Sequence, residues 1–529
     1  MKGTLGGVDL LVGGASAAPA PPQPPATTGR SAAVIAASPV GVGEAVAWQA
    51  VDAAVGDGAT YADARIVRYR QQSVMVRDGD VQAVTETEEY GIGVRVIANG
   101  GWGFTASPRV TADSACRAAR AAVQGARING HLLSSLGRSP VELAPAPTAR
   151  GAWVTPHCVD PFEVPIADKV ALLVEVERRL VEDQRIDHAI ASVVVTCEDQ
   201  LFASSEGALL HQIAIRVSPS ITAAAMDRRG GRSVSLDFDI VPMQAGWEYI
   251  TALDLAAHAE VTAVDLQRKL RAPSVEPGVR TVILTPTNLW LPIHESIGHL
   301  TELDRAMGLE ANYAGTSFIA PDRAIPRLGS PRVDIVADRT QPGGLATVAW
   351  DDDGVAAGRW DLVRNGTVVG WQTTRDQARW IGGTSSHGCS YGQGYGGVAF
   401  QRMPNVSLQP GPEDYSLDDL ITATDDGVLI RGGGSWSIDQ QRSNFQFSGQ
   451  MFYEIKRGRI VGPLRDVAYQ ADTVAFWRSC DMLGGLDTYQ IGGGTLRDGK
   501  GEPRQASPCS HGCPPARFTA TILNTEVDR

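Results

Sequence analysis

Two histidines and a glutamate stand close together in the middle of this 529-residue chain. The segment reads Leu-Pro-Ile-His-Glu-Ser-Ile-Gly-His-Leu. Glu295 directly follows His294, and His299 lies five residues after His294. Imidazole is the commonest metal ligand among side chains, and a neighbouring carboxylate can take a proton from water on the metal. These residue types favour a catalytic metal centre, whereas the competing interpretation is two ordinary half-buried helix histidines.

The spacing of the two histidines requires an irregular helix if both are to bind one metal ion. In the familiar H-E-x-x-H zinc motif, the imidazoles lie one turn apart on the same helix face. Here the interval is one residue longer, and residues five apart on a regular helix differ by roughly 140° around the axis, at about 100° per residue. A π-bulge or a kink would bring His294 and His299 together, and Gly298 makes such a break cheap. We therefore expect the helix to be distorted within the motif.

The flanking residues indicate a strand that leads into the motif helix. Residues 281–284 form a short apolar and β-branched run that is typical of a buried strand. Thr287 or Asn288 is the expected N-cap of the helix that follows. Apolar residues then recur at helical spacing, and we expect the helix to end near Gly308.

The motif and several later segments resemble the TldD/PmbA family of metallopeptidases, whose catalytic members carry H-E-x-x-x-H. The similarity covers most of the chain after the first forty residues and is densest after residue 280. The matching segments are residues 302–304, 313–318, 360–363, 401–405, 444–447, 465–469 and 510–514. The order and number of these matches indicate a TldD-type subunit, which is the subunit that bears the metal motif.

The resemblance implies that the third metal ligand is a cysteine in a glycine-rich segment before Gly-Lys. The matching segment here is residues 493–500, and Asp498 stands where the cysteine is expected. In one interpretation Asp498 completes a His₂–carboxylate site for Zn²⁺, which would also admit other divalent metals. In a second, Cys509 or Cys513 takes that position. In a third, the site has lost its metal and the protein binds peptides without cutting them.

If the site is active, each residue has a definite expected role. His294 and His299 hold the metal, and Glu295 carries a proton from water to the leaving amine. His511 is either a donor near the oxyanion or a residue that structures its loop. The resemblance implies hydrolysis of amide bonds in unfolded or short peptides, with a peptide-derived natural-product intermediate as a specialised case.

The resemblance also implies a partner subunit. TldD-type chains are similar to one half of a heterodimer, whose other half is a TldE/PmbA-like subunit that lacks the metal motif. For this chain, a homodimer is the alternative. The rival hypothesis to a peptidase is a metal-free, non-catalytic subunit that binds peptides or assists assembly.

The composition limits the remaining function classes. Net charge is −12, from 47 basic and 59 acidic residues. This balance disfavours nucleic acid as a partner, and with it a gyrase-modulating binder, because phosphate contacts need a basic surface. We see no run of the roughly 18 apolar residues that a membrane helix needs, so we expect no membrane partner. Asp9 and several glycines interrupt the faintly signal-like apolar start of the chain, which favours a cytoplasmic location. The seven cysteines are scattered and odd in number, which disfavours a disulfide framework.

The element pattern predicts an α+β protein in two parts. We expect a disordered tail over residues 1–40 and an N-terminal domain of antiparallel strands and helices over residues 41–272. A C-terminal, mainly β domain over residues 273–529 should carry the motif helix on a twisted, barrel-like sheet. Two-residue hairpin turns are expected at Asp78-Gly79, Asn99-Gly100 and Asn365-Gly366.

Local sequence patterns assign four further segments. Residues 247–270 have the apolar spacing of one long helix. The glycine-containing residues 492–494 and 510–512 are expected to form flexible loops. The acidic residues 351–353 are expected to form a solvated turn, with a metal site as the less favoured alternative.

Overall fold

The computed structural model describes residues 38–182, 186–227, 231–323, 325 and 327–526. The predicted disordered tail falls almost entirely on residues 1–37, which lie outside the described residues. Within the described residues, the chain is a mixed α+β protein with two large, mainly antiparallel sheets, which confirms the predicted fold class. The predicted domain division between residues 272 and 273 stays a prediction.

The first sheet has seven strands and comes from the N-terminal half of the chain. Its strands are β1 Tyr61–Arg77, β2 Asp80–Ala98, β3 Gly101–Ser107, β4 Arg150–Val154, β5 His188–Ser204, β6 Leu209–Asp227 and β7 Arg232–Asp237. They lie in the order β3-β2-β1-β5-β6-β4, with β7 paired to β6. Asp78-Gly79 and Asn99-Gly100 join the first three strands as predicted. All four turn residues have positive φ, as a type I′ turn requires.

Five helices accompany this sheet. They are α1 Glu44–Gly56, α2 Ala112–Ser135, α3 Ile166–Glu182, α4 Glu248–Ala252 and α5 Leu255–Arg271. The alanine-rich faces of α1 and α2 pack on one part of the sheet, and α3 and α5 pack on another. The single helix expected over residues 247–270 is wrong, because the chain breaks at Leu253 and Asp254 caps a new helix at the N–H of Ala257.

The C-terminal half is richer in strands, as expected. Its helices α6 to α10 are Pro286–Ile293, Leu303–Ala306, Arg375–Trp380, Leu417–Thr422 and Thr473–Arg478. Its strands β8 to β24 are, in order, Gly278–Leu284, Ile335–Asp338, Arg359–Arg364, Thr367–Val368, Ser390–Tyr391, Phe400–Gln401, Asn405–Leu408, Asp426–Arg431, Trp436–Ile438, Asn444–Ser448, Met451–Lys456, Arg459–Leu464, Val467–Asp472, Met482–Leu483, Gln490–Lys500, Gln505–Cys513 and Ala516–Asn524. Among all the helices given above, none has the length and apolar character needed to cross a membrane.

Nine of these strands form the second large sheet. Their order is β16-β17-β20-β24-β8-β15-β18-β19, with β21 paired to β24. The sheet is an open path with edges at β16 and β19, so the expected barrel-like form is not a closed barrel in the described chain. Strand β8, which leads into the motif, lies between β24 and β15 near the middle of the sheet. The predicted turn at Asn365-Gly366 joins β10 to β11, and both residues have positive φ.

The hairpin of β22 and β23 lies against the motif helix. Residues 492–494 and 510–512 belong to it and are not flexible loops, since Gly493 pairs with His511 across the strands. A Cβ on Gly493 would come within 2.4 Å of the Trp290 ring. Glycine is therefore needed here for close packing of strand on helix, which corrects the expectation of a loop.

The acidic run at residues 351–353 is buried, which corrects the prediction of a solvated turn. Two of its carboxylates pair with arginines of the first sheet. Asp352 lies 2.8 Å from Arg65 of β1, and Asp353 lies 2.7 Å from Arg95 of β2. The run therefore fastens the first sheet to the C-terminal half of the protein.

Candidate metal centre

The motif helix α6 begins where β8 leaves the second sheet. Thr285 is its N-cap residue, and Pro286 is its first residue, where the missing proline N–H costs nothing. The predicted caps, Thr287 and Asn288, are wrong and lie inside the helix. Sequence reasoning overlooked that proline at the first helical position is itself a start signal.

Within the motif, the helix widens into a π-helical turn at His294–Gly298, and a short 3₁₀ turn follows at His299–Thr301. The amide N–H of His299 donates to the carbonyl of His294, so residues five apart lie above one another. The centroids of the two imidazole rings are 4.5 Å apart. The expected distortion is confirmed. The helical run, interrupted at Glu302, ends at Ala306, close to the expected end.

Neighbouring side chains support the widened turn. Ser296 Oγ donates to the carbonyl of Pro292 over 2.5 Å, and Gln372 Nε2 donates to the carbonyl of Gly298 over 2.5 Å. Met403 packs against Gly298 so closely that a Cβ there would lie 2.6 Å from its sulfur. The π-turn is therefore built into the protein by its own hydrogen bonds and packing.

Asp498 faces both histidines from the β22–β23 hairpin. Its Oδ1 lies 3.7 Å from His294 Nε2 and 3.6 Å from His299 Nε2. A bulge between Thr495 and Asp498 interrupts the strand pairing, and bulges of this kind redirect a side chain. All three side chains are buried, and their donor atoms lie within 4.8 Å of one another. The structure thus brings together the three residues that the sequence nominated as metal ligands.

His294 and His299 each use Nδ1 in a hydrogen bond, and the partner of that bond places the ring proton on Nδ1. His511 Nδ1 donates to the carbonyl of Val406 over 2.8 Å, so its Nε2 accepts from His294 Nδ1 over 2.8 Å. His299 Nδ1 lies 3.0 Å from Glu302 Oε2 and 3.2 Å from Arg305 Nη2; because the carboxylate is the shorter contact and accepts, we place the proton on Nδ1. Both His294 and His299 therefore present a bare Nε2 lone pair toward Asp498.

Burial keeps these imidazoles neutral. It lowers the pKa of His294 and of His299 well below the usual value, and the neighbouring His511 and Arg305, respectively, lower it further. Two nitrogen lone pairs and a carboxylate oxygen then face each other, which is favourable only around a cation or a shared proton. Ligand atoms of a tetrahedral Zn²⁺ would lie roughly 3.4 Å apart, from metal–ligand distances of about 2.0–2.2 Å. The donor set fits a divalent metal such as zinc.

A charge network keeps Glu302 ionised behind His299. Burial opposes the charge, but Lys500 and Arg305 outweigh burial and hold the pKa of Glu302 well below its usual range. Arg305 Nε donates to Glu302 Oε2 over 2.8 Å, and Lys500 Nζ donates to Asp304 Oδ1 over 2.8 Å. An ionised Glu302 keeps the proton of His299 on Nδ1 and leaves Nε2 free.

The two cysteines considered as alternative ligands do not face the same space as the aspartate. Cys509 Sγ lies 3.8 Å from His294 Nδ1 and 3.8 Å from His511 Nε2, beside the hydrogen bond that joins those rings. Cys513 Sγ lies 3.8 Å from the carbonyl of Pro286. Burial raises the pKa of Cys509 well above its usual value, which opposes the thiolate that a metal requires. His294, Cys509 and His511 form a second donor group, but their imidazoles already bond to each other.

His511 is placed to position His294. Both of its ring nitrogens are used, by Val406 and by His294, so the hypothesis that it donates to an oxyanion is wrong. The Trp290 indole stacks on its ring, with centroids 6.0 Å apart and planes 19° apart. Burial lowers the pKa of His511 to about 4, which keeps its Nε2 an acceptor at neutral pH.

Glu295 is buried beside the ligands and pairs with Arg442. The same guanidinium donates to the carbonyl of Ala314 over 3.2 Å. Burial raises the pKa of Glu295 to about 7, although Arg442 opposes the rise, and such a value suits a general base. Sequence reasoning missed Arg442, because it lies 147 residues from Glu295 and no local pattern marks it.

Comparisons with known proteins agree with this fold. Sequence models described as PmbA/TldA metallopeptidase domain 1, central domain and C-terminal domain match residues 62–126, 159–267 and 277–521, respectively. The three matches occur in order and together span most of the chain. The chain belongs to the TldD/PmbA family of metallopeptidases.

Individual relatives are distant but similar over most of their length. A metalloprotease of Methanothermobacter thermautotrophicus is 25% identical over 469 residues, which cover 89% of this chain and 96% of the relative. A zinc metalloprotease TldD homolog of Saccharolobus solfataricus is 24% identical, covering 80% of this chain and 89% of its own. The crystal structure of TldE from Thermococcus kodakarensis has the same fold, with a TM-score of 0.67 at 16% identity over 90% of this chain and all of that one.

Proposed function

We propose that this protein is a metal-dependent peptidase subunit, in which His294, His299 and Asp498 hold a divalent metal, with Zn²⁺ as the first candidate. The observation that carries the proposal is the pair of bare Nε2 atoms that face one Asp498 oxygen beside Glu295. Membership of a metallopeptidase family supports it. When bound, the metal would supply a Lewis acid that polarises the scissile carbonyl and makes water more acidic.

Glu295 is the group that moves the proton in this proposal. Its carboxylate would accept a proton from the attacking water and deliver it to the leaving amine. Arg442 pairs with that carboxylate and restricts its position. His511 and Glu302 act only through the ligands, since each holds the proton of a ligand histidine on Nδ1.

The substrate and partner are part of the same proposal. The ligands and Glu295 are each at most 7% exposed, so an extended, unfolded peptide suits the site better than a folded protein. A peptide-derived natural-product intermediate is a specialised form of the same substrate class. The likeness to TldE supports a TldE/PmbA-like partner subunit, and a second copy of this chain is the alternative. Light scattering of the chain alone and with such a subunit distinguishes these two assemblies.

The test of the function is Glu295→Gln, measured for metal content and for hydrolysis of a pool of unfolded peptides. We expect the variant to keep its metal and its fold, and to lose activity by about 10²- to 10⁴-fold, which is the usual contribution of a general base. Glu413→Gln is the matched control, because Glu413 also pairs with an arginine, Arg332, but at the surface.

The rival hypothesis of a non-catalytic binding subunit predicts different results for metal content and for the Glu295→Gln variant. It expects no stoichiometric metal in the purified protein, and peptide binding that Glu295→Gln leaves unchanged. If the wild-type protein is purified without metal and binds peptides without cutting them, the binding-subunit hypothesis replaces the peptidase proposal.

A further inference from the structure

A small cavity lies between the first sheet and the β22–β23 hairpin, and charged side chains form part of its wall. Its volume is about 30 Å³. A cavity of this size has room for a water or two, or for one carboxylate group. The polar side chains that matter in its wall are Glu198, Arg216, Arg339, Asp352, Arg402 and Ser507.

The cavity adjoins the candidate metal centre. Arg402 lines it and donates from Nη2 to Asp498 Oδ2 over 3.2 Å. Met403 also lines it and packs against Gly298 of the motif. Ser507 is the strand partner of Asp498, and its buried Oγ has no hydrogen-bond partner among the described residues. A group bound in this cavity would therefore lie one side chain away from the proposed metal ligand.

Most charges in the cavity wall are already compensated. The ion pairs are Glu198 with Arg216 at 3.2 Å, Asp352 with Arg65 at 2.8 Å, and Arg402 with Asp498 at 3.2 Å. Arg339 differs, since no carboxylate in the described chain forms an ion pair with it. It is only 4% exposed, and its buried Nε has no hydrogen-bond partner among those residues.

The neighbouring carboxylate of Asp351 does not fill this role. Arg339 opposes the burial that raises the pKa of Asp351 to about 7, so the two groups sense each other. The oxygens of Asp351 nevertheless accept from the backbone N–H groups of Asp353, Val355 and Ser390, at 2.8–3.0 Å. A buried guanidinium without a counter-charge is unfavourable unless a ligand supplies one.

We propose that Arg339 binds a carboxylate of the substrate, so that the peptidase selects peptides with an acidic group near the scissile bond. This inference rests on the proposed function and adds a substrate class to it. The planar guanidinium suits a carboxylate, which it can bind through two parallel hydrogen bonds. The carboxylate comes either from the peptide C-terminus or from an Asp or Glu side chain.

The experiment uses pools of short peptides in matched forms. In the first pair, the peptides of one pool end in a free carboxylate and those of the other end in an amide. In the second pair, all peptides end in an amide, and one pool contains Glu where the other contains Gln. Binding is measured on metal-loaded Glu295→Gln protein, alone and combined with Arg339→Gln. Hydrolysis is measured on wild type, Arg339→Gln and Arg339→Lys. Arg359→Gln is the matched control, because Arg359 is an exposed arginine on the neighbouring strand β10.

We expect at least one acidic pool to bind about tenfold more tightly than its neutral counterpart, and the favoured pair identifies the source of the carboxylate. Arg339→Gln should remove the preference by raising KM for the acidic peptides alone, with kcat unchanged. Arg339→Lys should keep part of the preference, and Arg359→Gln all of it. Arg339→Met should melt no lower than wild type, because it removes a buried charge that has no ion pair among the described residues.

Three results would overturn the inference. They are equal binding of acidic and neutral pools, an unchanged preference in Arg339→Gln, and a clearly lowered melting temperature in Arg339→Met, which would mark a structural arginine. Hydrolysis without acid preference would refute the role of Arg339 and leave the peptidase intact. Acid-selective binding without hydrolysis by wild type would refute the peptidase and leave the carboxylate site intact.

Discussion

Replacing His511 by phenylalanine should weaken metal binding without changing any ligand. The substitution removes the Nε2 atom that accepts from His294 Nδ1 over 2.8 Å, and keeps a flat ring next to Trp290. The Nδ1–H of His294 would then be buried without a good acceptor, since Cys509 Sγ is 3.8 Å away. The proton is free to move to Nε2, where it blocks the metal.

The expected size of the effect follows from the hydrogen bond that is lost. Leaving a buried donor unsatisfied costs about 1–3 kcal/mol. Loss of a residue that orients a metal-bound histidine typically lowers metal affinity about 10- to 100-fold, or about 1.4–2.8 kcal/mol at 1.4 kcal/mol per tenfold. The two estimates agree, so we expect the Kd for Zn²⁺ to rise by one to two orders of magnitude.

A competition titration against a coloured zinc chelator measures this Kd directly. His387→Phe is the matched control, because His387 also lies against a tryptophan, Trp360, with ring centroids 4.8 Å apart. Among the described residues, the His387 ring has no hydrogen bond or ring contact with the motif. The control should bind zinc as wild type does. If His511→Phe also binds zinc with wild-type affinity while remaining folded, the assignment of the ring protons is refuted.

Three further variants test the choice of ligand and the junction between the sheets. Asp498→Ala should lower zinc affinity by more than the roughly 100-fold expected for a supporting residue, whereas Cys509→Ser should leave it unchanged. Elemental analysis after dialysis checks both, and the reverse result would move the metal to the cysteine side of His294. Asp352→Ala should lower the free energy of unfolding by about 3–5 kcal/mol, because it strands the buried guanidinium of Arg65. Urea denaturation measures this change, and a loss below about 1 kcal/mol would mean that the pair is solvated.

The part of the site that lies within one segment was predictable from the sequence. The spacing of His294 and His299 required a distorted helix, and the π-turn provides it. Matching the glycine-rich segment to its family pattern pointed to Asp498. The contribution of Arg442 and the way His511 acts were not predictable, because they depend on contacts 147 and 217 residues apart in the chain.

The same division between local and distant contacts explains the errors in the fold. Hairpin turns such as Asp78-Gly79 depend on two residues, and they form where predicted. The glycines at 492–494 were predicted to form a loop because composition alone cannot tell a flexible backbone from a backbone that another element approaches closely. The carboxylates at 351–353 read as solvated because their arginine partners belong to the other sheet.

The position of β8 between β15 and β24 has a consequence for biosynthesis. As the chain leaves the ribosome, the H-E-S-I-G-H segment emerges long before the strands that flank and support it. His511, 217 residues after His294, is among the last parts of the centre to be made. In the proposed function, metal uptake would therefore follow translation of both halves, and an unfinished chain would expose an apolar helix for chaperones to protect.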